Sequence, residues 1–231
     1  MKKLLIFGFE CAIIAIMSYK ENFIRFMAAS GALTFGSFTL KSGRQSPYFI
    51  NAGNYNTGDE IAKLGRFYAE CIVHNKISVD TVFGPAYKGI PLCVSTAIAL
   101  ESFDLSVNYC FNRKEEKAHG EGGAFVGKQP VVGENVVIID DVSTSGKALR
   151  EVLPLLSNVN VTAFVIAVDR MEKALNSDKS AVQQIYDEFK IPVFSIINME
   201  DIMRAVESGV IEGKEHLSAM SEYRNVFGVS G

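Results

Sequence analysis

The stretch Val136-Val137-Ile138-Ile139-Asp140-Asp141-Val142-Ser143-Thr144-Ser145-Gly146-Lys147-Ala148-Leu149 decides how the rest of this chain is read. It runs from an apolar strand through an acidic pair and a tight polar loop into a helix. In parallel sheets, ligands sit beyond the carboxyl ends of the strands, so this order delivers Asp140 and Asp141 to a binding crevice. The segment from Thr144 to Lys147 then offers N–H groups and hydroxyls at a helix N-terminus, a geometry suited to phosphate. Gly146, without a Cβ, lets the backbone turn tightly and approach an anion closely. Carboxylates attract sugar hydroxyls or a metal, whereas the amide-lined loop attracts phosphate. A ligand serving both within a few ångström has the layout of a ribose 5-phosphate. An apolar strand ending in two acids also occurs in nucleotide hydrolases and phosphoacceptor proteins. However, Gly146-Lys147 is followed by Ala148, and no G-x-x-x-x-G-K-[ST] or strand-borne G-x-G-x-x-G occurs in the chain.

Outward from this motif, strands and helices alternate. We expect strands at 79–83, 107–111, 136–139, 162–168 and 193–197, and helices at 90–100, 147–156 and 181–189, closed by polar helices near 199–208 and 215–225. That rhythm is the signature of a parallel sheet. Upstream, Phe38-Thr39-Leu40 and Tyr48-Phe49-Ile50 flank Ser42-Gly43-Arg44 and predict a β-hairpin. Asn56-Thr57-Gly58-Asp59 supplies a helix start, and Ile61, Leu64, Phe67, Tyr68, Cys71 and Ile72 follow at helical spacing. An amphipathic helix is expected from about Tyr19 to Ala29. Phe111 to Gly133 is glycine-bearing and charged, without regular apolar periodicity, and long segments of that kind in compact domains are usually functional or disordered.

The chain of 231 residues, 48% hydrophobic and 21% charged, has an ordinary globular composition, which argues against disordered and fibrous classes. Its 23 basic against 26 acidic residues, net −3, give no global reason to bind nucleic acid or an anionic membrane. Four scattered cysteines, Cys11, Cys71, Cys93 and Cys110, suggest neither a zinc site nor a disulfide framework, and fit a reducing, cytoplasmic setting. Lys2 and Lys3 before Leu4 to Met17 have the layout of a secretory signal or anchor. Glu10 interrupts that run, no A-x-A-like site follows, and about 14 residues is short for a bilayer span. Residues 1–17 are therefore expected to be an extension upstream of a true start at Met17, leaving 18–231 as a single domain.

Three further segments accompany the acidic motif: Phe38 to Arg44 with Ser46-Pro47-Tyr48-Phe49; Phe83-Gly84-Pro85-Ala86-Tyr87-Lys88-Gly89-Ile90-Pro91; and Phe111-Asn112-Arg113-Lys114-Glu115 continuing to His119-Gly120-Glu121-Gly122. With them the sequence resembles the type I phosphoribosyltransferases, and within that family the orotate-using branch. The resemblance covers the chain from about Tyr19 to the C-terminus. It implies an α/β fold, a parallel sheet flanked by helices, with a small hood built from N- and C-terminal segments. Ser143, Ser145 and Lys147 stand where many relatives carry apolar or small residues, and Ile50 replaces a frequent aromatic.

The activity so implied is transfer of the phosphoribosyl group of phosphoribosyl pyrophosphate to orotate. By the resemblance Asp140 and Asp141 hold the ribose hydroxyls. Val142, Ser143, Thr144, Ser145, Gly146, Lys147 and Ala148 surround the 5-phosphate, and Tyr87, Lys88, Arg113 and Lys114 serve the pyrophosphate. Lys117 and His119 belong to a mobile lid that reaches the neighbouring subunit's site, which implies a homodimer. Lys41 and Arg170 contact the base, and Phe49 with Ile50 lines its pocket. Mg²⁺ is expected to ride on phosphate oxygens, without a dedicated protein cage. From the residues alone, Lys88 also reads as a solvated lysine, Phe49 as strand packing, and Arg170 as an arginine paired with Asp169 or Glu172. A purine or uracil phosphoribosyltransferase shares the 140–149 motif but not Lys41 and the hairpin. A non-catalytic sensor of phosphoribosyl pyrophosphate would usually add a basic surface, which this chain lacks.

Overall fold

The computed structural model describes residues 19–115, 123–141 and 146–229, with the side chain of Lys147 left aside. The expected extension at 1–17, the expected lid residues Lys117 and His119, and the loop residues Val142, Ser143, Thr144 and Ser145 lie outside the described residues. The chain divides into two compact units, one of residues up to Asn54 with Ile197–Val226, the other of Tyr55–Ile196 with residues from Phe227 onward.

The first unit begins with helix α1 at residues 19–29. A hairpin follows, in which β1 (Leu33–Thr39) pairs antiparallel with β2 (Gln45–Ile50). Its turn at 40–44 is closed by Leu40 N–H donating to Arg44 O at 2.9 Å. Tyr48 points inward and meets Tyr223 edge-on at 6.0 Å, tying the hairpin to the C-terminal helix. Lys20 of α1 pairs with Asp201 at 2.8 Å, and Arg224 pairs with Glu200. These contacts bind the two ends of the chain into one unit.

The second unit holds a six-stranded, mostly parallel sheet in the order β5-β4-β3-β6-β7-β8. Its strands are β3 (Thr81–Gly84), β4 (Asn108–Asn112), β5 (Phe125–Gly127), β6 (Asn135–Asp140), β7 (Asn160–Asp169) and β8 (Val193–Asn198). Val136, Val137, Ile138 and Ile139 are each wholly buried, because helices cover both faces of a sheet of this kind. On one face Phe83, Ile138 and Phe164 pack under α4 (Lys147–Val152) and α5 (Ala181–Phe189) through Leu149, Val152 and Ile185. The chain also forms α2 (Gly58–His74) and α3 (Gly89–Leu100), which pack against each other. The expected helix start at 56–59 is a capping box: Thr57 Oγ1 accepts the Glu60 N–H at 3.2 Å, and Glu60 Oε2 accepts the Thr57 N–H at 3.0 Å. The polar helices near the C-terminus are α6 (Met199–Glu207) and α7 (Leu217–Phe227).

Two expectations are corrected. The segment 111–133 is not wholly irregular, since β5 pairs antiparallel with β4, Asn112 opposite Phe125 and Cys110 opposite Gly127. Three residues are too few to show a period. They are held by the partner strand and by Phe125 meeting Phe83 edge-on at 6.2 Å. The helix expected at 147–156 is α-helical only to Val152; Leu153–Leu156 tighten into a 3₁₀ turn around Pro154, which has no N–H to give. Other boundaries move by a residue or two, the usual scatter of helix and strand ends.

Helices α2 and α3 approach closely at Gly65, where a Cβ would lie 2.5 Å from the Ser95 carbonyl carbon. Gly65→Ala should force the helices apart and cost about 1–3 kcal/mol, read as a lowered midpoint in urea unfolding.

Candidate active site

Strand order places the site. From β3 the chain moves to β4 on one side of the sheet, then returns to lay β6 on the other side of β3. The point between β3 and β6 is therefore a topological switch, and the loops leaving their carboxyl ends open a crevice there.

The loop after β3 runs from Gly84 to Gly89. A Cβ on Gly84 would lie 2.1 Å from Gly89 O, and one on Gly89 would lie 2.8 Å from the Gly84 carbonyl carbon. Only glycine at both ends permits the pinch. Within it the Ala86–Tyr87 peptide is cis, Gly89 N–H donates to Pro85 O at 2.9 Å, and Tyr87 stands 72% exposed. Asn112, buried at the end of β4, accepts the Ala86 N–H on Oδ1 at 2.9 Å. Nothing in the residue pattern singled out Asn112, although a buried amide at a strand's carboxyl end needs partners.

Across the switch point, Asp140 ends β6 and Asp141 follows. Lys88 Nζ donates to Asp141 Oδ2 at 2.6 Å, so Lys88 is a partnered cation at the crevice. Asp141 N–H donates to Asp140 Oδ1 at 2.9 Å, and the Tyr68 hydroxyl reaches Asp140 O at 2.8 Å. Burial first, then the Asp141 carboxylate, push Asp140 up to about 6. The hydrogen bond to Asp141 holds Lys88 above the ordinary lysine value. Gly146, at φ +64°, caps α4, and a Cβ there would press Ile185 Cγ1 at 3.0 Å. Ala148 follows in the first turn of that helix.

The remaining candidates are placed as follows. Arg113 comes directly after Asn112, its N–H donating to Ala124 O at 2.7 Å to clasp the base of the 113–124 segment. Its Nε is buried without a hydrogen bond among the described residues. Lys114 pairs with Glu151 on α4 at 3.3 Å. Arg170, just beyond β7, pairs with Glu172 at 2.6 Å, whereas Asp169 instead accepts the Met171 N–H. In the first unit Lys41 is exposed in the hairpin turn, Phe49 stacks on Phe38 with centroids 5.5 Å apart, and Ile50 is half-buried opposite Leu33. The structure thus brings Lys88, Asp140 and Asp141 together within the second unit, while Lys41, Phe49 and Ile50 share one hairpin.

The switch-point crevice, its pinched loop and its acidic pair define a phosphoribosyltransferase domain, and a family model of that description, Phosphoribosyl transferase domain, matches residues 51–196. Curated relatives narrow the class. An orotate phosphoribosyltransferase of Pseudomonas syringae pv. syringae is 49% identical over 217 residues, spanning 93% of this chain and 100% of that protein. One of Bifidobacterium animalis subsp. lactis is 54% identical over 194 residues, 80% of this chain and 84% of its own length. The crystal structure of orotate phosphoribosyltransferase from Francisella tularensis superposes with a TM-score of 0.81 at 39% identity, covering 90% of this chain and 99% of that one. The chain belongs to the orotate phosphoribosyltransferase family.

The elevated Asp140 has a consequence for stability. An acid held at about 6 when folded and 3.8 when free binds more protons folded than unfolded between those values. Its contribution is therefore fully present below about pH 4 and lost as pH rises through about 6. A gap of about two pH units corresponds to about 3 kcal/mol. Asp140→Asn should raise unfolding free energy at pH 8 by up to about that amount, with the gain vanishing below pH 4, while activity falls. Chemical denaturation at both pH values checks it.

Proposed function

We propose that this chain transfers the 5-phosphoribosyl group of phosphoribosyl pyrophosphate to N1 of orotate, giving orotidine 5′-phosphate and pyrophosphate, a step toward UMP. The observation that carries the reading is the meeting of Lys88 with Asp141 beside Asp140 across the switch point. A donor entering there offers ribose hydroxyls to the acids and a diphosphate to the lysine. The partners exchange, so neither side chain is left as a bare charge. As the C1–oxygen bond to pyrophosphate breaks, the ring gains oxocarbenium character and the leaving group gains negative charge. Lys88 and Arg113, whose buried Nε is aimed at no described group, would stabilise that charge more in the transition state than before it. Asp140 and Asp141 would hold the hydroxyls as the ring flattens, with the segment Val142 to Ala148 around the 5-phosphate. Orotate N1 then bonds to C1, its N–H proton passing to the departing pyrophosphate.

Lys41 and Arg170 would meet the anionic base, with Phe49 and Ile50 against its ring. Arg170 is preset by Glu172, which holds the guanidinium in one orientation. Mg²⁺ belongs in this reading because hard oxygen donors are what the acid pair and a diphosphate supply. No group of three or more metal-binding side chains occurs among the described residues, so substrate oxygens would provide most of its ligands. Bound there, the ion would neutralise the departing diphosphate. We also propose a homodimer in which Lys117 and His119 close over the partner's site, excluding water from the activated ribose. A cytoplasmic setting is supported by Cys71, Cys93 and Cys110, buried thiols that form no disulfide among the described residues; burial pushes the Cys93 and Cys110 thiols up to about 12. No helix among the described residues is long and apolar enough to cross a membrane.

The direct test follows orotate consumption with phosphoribosyl pyrophosphate and Mg²⁺. Conversion of hypoxanthine or uracil instead would reject orotate as the substrate. A charge-assisted contact is worth about 1.5–3 kcal/mol, so Arg170→Ala should weaken orotate binding roughly tenfold to a hundredfold and leave phosphoribosyl pyrophosphate binding nearly unchanged. Equal losses for both ligands would contradict the assignment. Lys117→Ala should slow turnover over a similar range, and mixing it with Asp141→Asn subunits should recover activity. Hybrids without recovery would reject the shared site.

A further inference from the structure

The acid pair sits where the sheet runs out. The β3–β6 ladder ends at Phe83 opposite Ile138, two residues before Asp140. On the β7 side the Asp141 carbonyl still accepts the Ala167 N–H at 2.9 Å. Carbonyls alternate along a strand, so the Asp140 carbonyl faces the side where β3 has already turned away into its pinched loop. A buried carbonyl without a donor is costly. The donor comes from α2: the hydroxyl of Tyr68, a residue with no solvent exposure, lies 2.8 Å from Asp140 O.

We propose that Tyr68 is a positioning residue for the acid pair, replacing the missing strand so that the Asp140–Asp141 peptide is held from both sides and its carboxylates point at fixed places in the crevice. The chain of restraint is continuous. Asp141 N–H donates to Asp140 Oδ1 at 2.9 Å, so fixing this peptide also fixes the Asp140 carboxylate. Tyr68 is carried on α2, whose start is capped by the Thr57–Glu60 box and which packs closely on α3 at Gly65. Small misplacements of groups that hold a reacting sugar are expensive in rate. The inference rests on the reading of the pair as the ribose-holding group.

The experiment uses the full chain carrying Tyr68→Phe, which keeps the buried ring and removes only the hydroxyl. We expect kcat/KM for phosphoribosyl pyrophosphate to fall roughly tenfold to a hundredfold, through a raised KM for that donor as well as a lowered kcat, with the orotate KM within about twofold of the parent. 3-Fluorotyrosine at position 68, which retains the hydroxyl, should recover the greater part of the loss. A parental kcat/KM in Tyr68→Phe, or a loss shared equally by both substrates, overturns the proposal. Should the phenylalanine variant not fold, 3,5-difluorotyrosine at the same position strengthens the donor without removing it. A changed kcat at unmoved orotate KM supports the role, and an unchanged kcat overturns it. A parent chain that leaves orotate untouched would instead sink the activity reading. Calorimetric binding of phosphoribosyl pyrophosphate to parent and Tyr68→Phe then decides the Tyr68 role alone, equal affinities rejecting it.

Discussion

Two adjacent carboxylates at the end of a strand that is dry on both faces repel each other and lose their water together, and the surrounding structure is arranged to make that tolerable. Lys88 reaches Asp141 at 2.6 Å, and the Asp141 N–H serves Asp140 Oδ1. Even so, Asp140 remains hard to ionise, pushed up to about 6 by burial and its neighbour. Opposing a charge with a cation and with backbone donors is the only inexpensive way to keep it inside a protein. The compensation is incomplete, as expected of groups meant to bind something more attractive than each other. A site built for stability alone would place an amide at 140.

Lys88 can reach the acids only because the loop that carries it is forced into one shape. Gly84 and Gly89 touch so closely that no side chain fits between them, and Asn112 takes the Ala86 N–H that the turn leaves over. The same stretch of β4 leads straight into Arg113 and the clasped base of the 113–124 segment. The shape of the β3 loop and the start of the 113–124 segment are thus set by neighbouring residues on one strand. Rigidity there would suit the partner exchange proposed for Lys88, since a cation that trades one anion for another loses least when its backbone does not move.

Local chemistry was readable in the sequence, and tertiary chemistry was not. The run from Val136 to Asp141 announced a buried parallel strand delivering acids, because apolar continuity and an abrupt acidic end are both written in adjacent residues. The start of α2 was equally plain, since a capping box spans only Thr57 to Glu60. Strand β5 escaped notice because its order comes from β4, fifteen residues upstream, and not from any period of its own. Asn112 and Tyr68 escaped for the same reason. The partner of Tyr68 lies 72 positions away, and on a helix face already rich in apolar residues a tyrosine reads as packing. Glu172 was one of two acids open to Arg170, and geometry chose it while Asp169 turned to a backbone N–H.

The division of the chain bears on how such a protein acquires its choice of base. The segment matched by the general phosphoribosyl transferase model, residues 51–196, begins directly after Ile50 and contains Lys88, Arg113, Asp140, Asp141 and Gly146, the residues assigned to the donor. Three of the four residues assigned to the base, Lys41, Phe49 and Ile50, belong to a hairpin before that segment and to the other compact unit. The donor machinery is under tight constraint: pinched glycines, a buried acid pair and a strand dry on both faces tolerate little change. A hairpin with exposed turn residues tolerates much more. On the assignment proposed above, recognition of different acceptors is therefore expected to arise by altering the hairpin, while Arg170, the proposed base residue that follows β7, keeps the direction Glu172 gives it.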